Sequence, residues 1–328
     1  MKEFDVIALG ELLIDMTDNG LSGQGNTLFE ANPGGAPCNV LAMLARLGHK
    51  VGFIGKVGND IFGHKLKGVL EEVHIDTRNL CVDNDCRTTL AFVETKEGGD
   101  RDFSFYRNPG ADMMLTTADI QEELLAQTKV FHFGTLSMTH PGVREATKYA
   151  VETAKAAGAL VSFDPNLREP LWESLEVAKE QVLYGLGKCD VLKISDNEIQ
   201  WLTGEEDFDA GVEKIRERYP ITLILVSMGR EGSRAYYRWG TPEQVRVEVQ
   251  PYLQEATIET TGAGDTFCGC VLHYILEHGL DKLTAEGITE MLKFANAAAS
   301  VITTRKGALR VMPELAEIEG LMGRSCKE

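Results

Sequence analysis

Four short apolar runs, Val130–Phe133, Leu160–Phe163, Val191–Ile194 and Leu223–Val226, alternate with helical patterns such as Arg144–Ala157. No other feature constrains the fold as tightly. Apolar strands joined through helices pack as a mostly parallel sheet covered by helices on both faces. The same rhythm begins earlier. Val6–Leu9 reads as a strand, and a helix opens near Pro37, carries Val40, Leu41, Leu44 and Leu47 at core spacing, and stops at Gly48. Val51–Ile54 is the next strand, and Leu66, Val69, Leu70 and Val73 mark another helix. Near the end, Arg234–Arg238 and Gln244–Val249 read as a hairpin, followed by long helices over Ala263–His278 and Thr284–Thr303.

Two stretches break the rhythm. Segments 10–35 and 86–110 are rich in β-formers, and Lys96-Glu97-Gly98-Gly99-Asp100 reads as a hairpin turn between Thr88–Thr95 and Asp102–Tyr106. They predict a small sheet projecting from a single domain spanning residues 1–328.

Composition excludes several function classes. With 43% hydrophobic and 25% charged residues the chain reads as soluble and globular, and no apolar run reaches the roughly 20 residues of a membrane helix. Its N-terminus lacks a signal-peptide pattern. Fifty acidic against 33 basic residues give a net charge of −17, so neither nucleic acid nor a membrane is an expected partner. A polyanionic ligand must instead be met by local donors. Seven cysteines without a Cys-x-x-Cys pair favour reduced thiols and a cytoplasmic location. Cys268 and Cys270 cannot face a shared metal from one helix, and His273 and His278 miss the spacing of a helical zinc pair, which argues against a zinc enzyme.

A Walker loop, a dinucleotide Gly-x-Gly-x-x-Gly and the protein-kinase motifs are all absent. What occurs is Thr260-Thr261-Gly262-Ala263-Gly264-Asp265-Thr266-Phe267, small residues opening a helix. Unpaired N–H groups at such an end favour an anion, and glycines let a phosphate approach. Asp265 stands in the first turn, either as a proton acceptor or as a helix-capping acid. A second constellation, Asn32-Pro33-Gly34-Gly35-Ala36-Pro37-Cys38-Asn39, can bring backbone and amide donors to sugar hydroxyls, or can be a turn before a proline-initiated helix.

Together these motifs resemble the ribokinase-like (PfkB) carbohydrate kinases. Gly34-Gly35-x-x-x-Asn39 with Gly48 and Gly58 is similar to the family's N-terminal signature, and Thr261–Phe267 with Gly269 to its C-terminal one. Asp164-Pro165-Asn166-Leu167-Arg168, Leu202-Thr203-Gly204, Ser227-Met228-Gly229-x-x-Gly232 and Phe294–Ala299 fall between and after them in the family's order. The resemblance implies a three-layer α/β/α domain with a mostly parallel central sheet and a small β-sheet lid. It implies ATP and Mg2+ as cofactors. Asp265 aligns with the base, and Gly262, Ala263 and Gly264 with the anion hole that stabilises the transferring phosphoryl group. Asp15, Gly34, Gly35 and Asn39 match sugar-binding positions, and Ser227, Gly229, Gly232 and Asn296 match nucleotide positions. Asn166 and Arg168 are expected near the phosphates, with Lys193 either beside them or on the surface. Glu198, in Ser195-Asp196-Asn197-Glu198, is expected to act on magnesium through waters. Glu259 replaces an Asp common in the monovalent-cation loop, together with Thr261, Ile302, Arg305 and Gly307, which leaves potassium as an open cofactor.

Within the family, Gly34-Gly35-Ala36-Pro37, Phe105–Asp112, His132–Ser137 and Lys306–Pro313 are most similar to bacterial fructokinases. Arg107 is expected on the lid, hydrogen-bonding a ketohexose or pairing with a sugar acid, so 2-keto-3-deoxygluconate kinase and ribokinase stand as alternatives. A non-catalytic sugar sensor is disfavoured because base and anion hole are intact. The unpaired lid edge suggests a homodimer.

Overall fold

The computed structural model describes residues 2–95 and 101–325. The turn expected at 96–100 and Cys326 lie outside the described residues. Nine strands form the main sheet. In spatial order they are β13 (Val245–Val249), β12 (Ser233–Tyr237), β11 (Leu223–Ser227), β10 (Val191–Ser195), β9 (Leu160–Asp164), β8 (Thr128–Gly134), β1 (Phe4–Leu9), β4 (Val51–Gly58) and β5 (Ile75–Asp83). Pairing is parallel from β11 through β5, and β12 and β13 close one edge as an antiparallel hairpin.

From Val6 to Leu9 alternation along β1 assigns the two faces, and Phe4 at the strand start departs from it. Val6 and Ala8 pack into one core with α1 (Ala36–Arg46), α2 (Ile61–Glu72), α8 (Ala263–His278), α9 (Ala285–Ile302) and α10 (Leu315–Ser325). Phe4, Ile7 and Leu9 pack into the other with α3 (Glu122–Ala126), α4 (Pro141–Ala156), α5 (Leu175–Leu186), α6 (Asp196–Thr203) and α7 (Phe208–Arg216). The result is the three-layer sandwich expected from the strand–helix rhythm. Among the described residues no helix is long and apolar enough to cross a membrane.

A second sheet contains β3 (Thr27–Gly34), β2 (Leu13–Leu21), β6 (Leu90–Thr95) and β7 (Arg101–Tyr106), in that order. All four strands fall inside the two segments that broke the rhythm. The strand missing from the sequence reading is β5. Its polar residues Asp76, Thr77, Arg78 and Asn79 and its edge position hide the apolar signature of the buried strands.

Strand order locates the ligand crevice. From β1 the chain moves to β4 and β5 on one side, then restarts at β8 on the other and proceeds to β11. The switch lies between β1 and β8, and open α/β sheets bind ligands beyond the carboxyl ends of the strands at such a point.

Candidate active site

A cavity of about 400 Å³ lies at this switch point. Glu11 follows the end of β1, Leu136 follows β8, and Asn166 and Arg168 follow β9, so all four line it. The small sheet supplies another wall through Leu13, Asp15, Val93 and Phe105. Opposite them stand Gly35, Ala36 and Asn39 at the start of α1, and Thr260, Thr261, Gly262, Gly264 and Asp265 at the start of α8. Beside this cavity is a second of about 290 Å³, lined by Leu167, Glu169, Ser195, Asn197, Glu198 and Trp201. Asn166, Arg168 and Lys193 border both.

Two helix starts are built for close approach. Gly262 caps α8 with φ 74°, in the left-handed region, and a Cβ there would lie 2.9 Å from Cβ of Ala308. Gly35 caps α1 with φ 131°, where a Cβ would lie 2.3 Å from the Glu11 carbonyl oxygen. Glycine is the residue that tolerates both. The first N–H groups of a helix have no intrahelical acceptor; here the Ala36 amide donates to Glu11 Oε1 at 2.7 Å and the Ala263 amide to the Thr260 carbonyl at 3.3 Å.

Asp265 sits at the junction. Its Oδ2 accepts a hydrogen bond from Asn39 Nδ2 at 2.8 Å. Burial pushes its carboxyl up to about 6, against the Asn39 bond and the nearby cations of Lys193 and Arg168, which favour the ionised form. Lys193 is buried and pairs with Asp164 at 3.0 Å, and that carboxylate also accepts from the Asn166 amide at 3.2 Å. Burial alone would lower the ammonium; Asp164, Glu198 and Asp265 outweigh it, so Lys193 stays charged. A Cβ on Gly264 would lie 3.1 Å from Lys193 Nζ, which fixes that ammonium over the first turn of α8. Asn166 holds φ 44°, a strained value for a non-glycine residue, where the chain turns from β9 into the cavity. In a strongly acidic chain these are the local donors that an anion requires.

The other expected residues divide into groups. Gly34 abuts the Asp15 carboxylate, and Ala263 is the first residue of α8. Glu198 borders the smaller cavity, but its carboxylate already accepts from the Ser195 amide and hydroxyl and from the Leu167 amide, leaving it little capacity to bind a metal directly. Glu259 and Thr261, in the segment before α8, adjoin the end of α9 at Ile302 and the loop that carries Arg305 and Gly307. The Ile258 and Glu259 amides donate to the Thr303 carbonyl, and the Gly307 amide donates to Glu259 Oε1 at 2.8 Å. The longer Glu side chain thus satisfies a backbone donor. Arg305 turns outward to Glu317 and the Val311 carbonyl.

Two expectations need revision. Arg107 lines neither cavity. Its guanidinium binds the Asp112 carboxylate at 2.7 Å, the Thr139 hydroxyl at 2.8 Å and the Leu136 carbonyl at 3.1 Å, with Arg107 and Asp112 side chains each 2% exposed. The charge expected to face the sugar is spent inside the protein. Asn296 is likewise occupied: it accepts from the Ser233 hydroxyl and donates to the carbonyls of Val249 and Gln250, bracing α9 against β12 and β13. Ser227, Gly229, Gly232 and Asn296 border neither of the two cavities. At Gly232 a Cβ would lie 2.2 Å from the Val249 carbonyl oxygen, so backbone packing alone demands glycine there.

Sequence reasoning gave no role to Glu11, nor to Asp164 within its quoted motif. Glu11 is 4% exposed, accepts from the Ala36 amide at 2.7 Å, and has its carboxyl pushed up to about 7 by burial. The available signal was a lone acid directly after the central apolar strand.

Residues 4–315 match the pfkB family carbohydrate kinases. The chain belongs to that family. It is 40% identical over 312 residues to probable fructokinase-2 of Arabidopsis thaliana, covering 94% of this chain and 92% of the relative. A fructokinase from Xylella fastidiosa with bound ATP superposes with a TM-score of 0.87 at 32% identity, covering 98% and 99% of the two chains. A fructokinase double mutant from Vibrio cholerae O395, in fructose-, ADP- and potassium-bound form, gives 0.84 at 30% identity, with coverage of 98% and 99%. The chain is thus similar throughout to ribokinase-like carbohydrate kinases, fructokinases among them.

Proposed function

We propose that this carbohydrate kinase transfers the γ-phosphoryl group of ATP to a hydroxyl of fructose. The observation that carries the reading is Asp265, in the first turn of α8 on the wall of the larger cavity, which shares Asn166, Arg168 and Lys193 with the smaller one. Sugar fills the larger cavity against Asp15, Gly34, Gly35 and Asn39, and the polyphosphate reaches it past Asn166, Arg168 and Lys193. The hydroxyl oxygen attacks the γ-phosphorus, its proton passes to Asp265, and ADP leaves with the bridging oxygen. Amides of Gly262, Ala263 and Gly264 stabilise charge on the transferring group. When bound, magnesium would neutralise charge on the phosphates, and Glu198 would be the residue to hold it, through water. Ser227, Gly229 and Gly232 turn the chain at the nucleotide end, while Asn296 acts there as a brace.

Fructose is supported by the named relatives, and the commitment of Arg107 to Asp112 removes the one side chain expected to pair with a sugar-acid carboxylate. One kinase domain with the small sheet as its lid belongs to the same proposal. So does a lid-to-lid homodimer, for which exposed Leu21, Leu28, Phe29 and Tyr106 offer apolar area. The six described cysteines are free, in keeping with a reducing cytoplasm. Potassium at the 258–261 and 302–307 loops should raise kcat relative to tetramethylammonium at equal ionic strength; equal rates would remove it from the cofactor set. Steady-state phosphorylation of fructose, ribose and 2-keto-3-deoxygluconate with MgATP tests the substrate. Fructose should give the highest kcat/KM, and preference for either competitor would overturn the assignment.

A further inference from the structure

At the far ends of α1 and α8, three donor side chains converge, one of them 224 residues from the nearest other. His49 follows the end of α1, while His273 and Glu277 stand one turn apart on α8. One ligand atom from each lies within 4.8 Å of the others, and His49 Nε2 is 2.7 Å from His273 Nδ1. On its other side, His49 Nδ1 lies 3.4 Å from Asp5 Oδ2. We infer that His49, His273 and Glu277 bind one divalent transition-metal ion of the zinc or cobalt class.

Tautomer and chemistry support this. The Asp5 carboxylate, 3.4 Å from Nδ1, favours the His49 tautomer with its hydrogen there, which leaves a lone pair on Nε2. Without an ion, His273 Nδ1–H donates into that lone pair. An ion takes the place of that hydrogen, which moves to Nε2 of His273, and the two nitrogens separate by roughly 0.6 Å to reach tetrahedral Zn–N geometry. Glu277 is exposed and free to swing in, and the Phe294 ring packs 5.9 Å from the His273 ring. Two nitrogens and one carboxylate oxygen leave room for a water, a donor set that suits zinc or cobalt and not magnesium.

The site is separate from the phosphoryl-transfer chemistry. Asp265 and Glu277 stand at opposite ends of α8, about 18 Å apart at 1.5 Å per residue. An ion here ties α8 to the segment after α1 and so acts as a staple on the native state.

The test adds Co2+ alone to the EDTA-treated full-length protein, with magnesium present to occupy oxygen-rich sites. Visible absorption and Tm are recorded. About one equivalent of Co2+ should bind with a d–d band of low coordination and no thiolate charge-transfer band, and Tm should rise. Glu277→Gln, an exposed change that spares folding, should weaken binding at least tenfold, and His273→Gln should abolish it. No uptake by the wild type, uptake undiminished in both variants, or a thiolate band assigning the ion to cysteine would each overturn the inference.

Discussion

The Asn39 side-chain amide donates to Asp265 Oδ2 at 2.8 Å, joining the first turns of α1 and α8 beside the larger cavity. That bond favours the ionised carboxylate while burial opposes it, and the balance leaves Asp265 at about 6. A base in that range is ionised at neutral pH and still basic enough to accept a hydroxyl proton. The acid limb of kcat/KM should therefore fall as pH drops through about 6. Asn39→Ala removes stabilisation of the charged form and should move that limb upward by roughly one unit. A limb that stays in place would show that Asp265 does not govern it.

Glu11 gives a stability prediction of defined sign. Its carboxyl is held at about 7 when folded, above the roughly 4.3 of an unfolded glutamate. The folded state binds that proton more tightly, so its contribution is complete below the unfolded value and is lost as pH rises through about 7. Glu11→Gln keeps an acceptor for the Ala36 amide and removes the titration. The Tm of the variant relative to the wild type should climb between about pH 5 and pH 8; parallel curves would contradict the buried titration.

Gly262→Ala tests the helix cap. An alanine at φ 74° costs about 1–2 kcal/mol, and its methyl meets Ala308. Denaturant unfolding should show at least that loss, and kcat should fall further than KM rises because the anion-hole amides shift. A fully stable, fully active variant would mean that the cap is not under constraint.

Arg107→Gln leaves the Asp112 carboxylate buried without its cation. Breaking such a pair costs about 3–5 kcal/mol, so the variant should lose stability first, whatever the sugar. A double-mutant cycle with Asp112→Asn should recover part of it. A stable Arg107→Gln enzyme with a purely kinetic defect would return Arg107 to the sugar.

These residues also mark how far the sequence could be read. The α8 start was legible because a helix N-terminus with glycines and an acid has local physics that needs no tertiary context. The sandwich was legible for the same reason, since β8 to β11 carry their burial in their composition. Arg107 was not: its capture by Asp112, Thr139 and the Leu136 carbonyl depends on how three segments meet. Asn296 resembled a nucleotide ligand in its motif, yet its donors are consumed by carbonyls 46 and 47 residues away. His49 and His273 are 224 residues apart, so no spacing rule links them.

The most direct test of the account is kcat for fructose phosphorylation by Asp265→Asn, measured on protein whose fold and ATP affinity match the wild type. The amide keeps the shape and the neighbours of the carboxylate but cannot take the proton. Turnover should drop by roughly 10²–10⁴-fold. Near-normal turnover would contradict the assignment of Asp265 as the base.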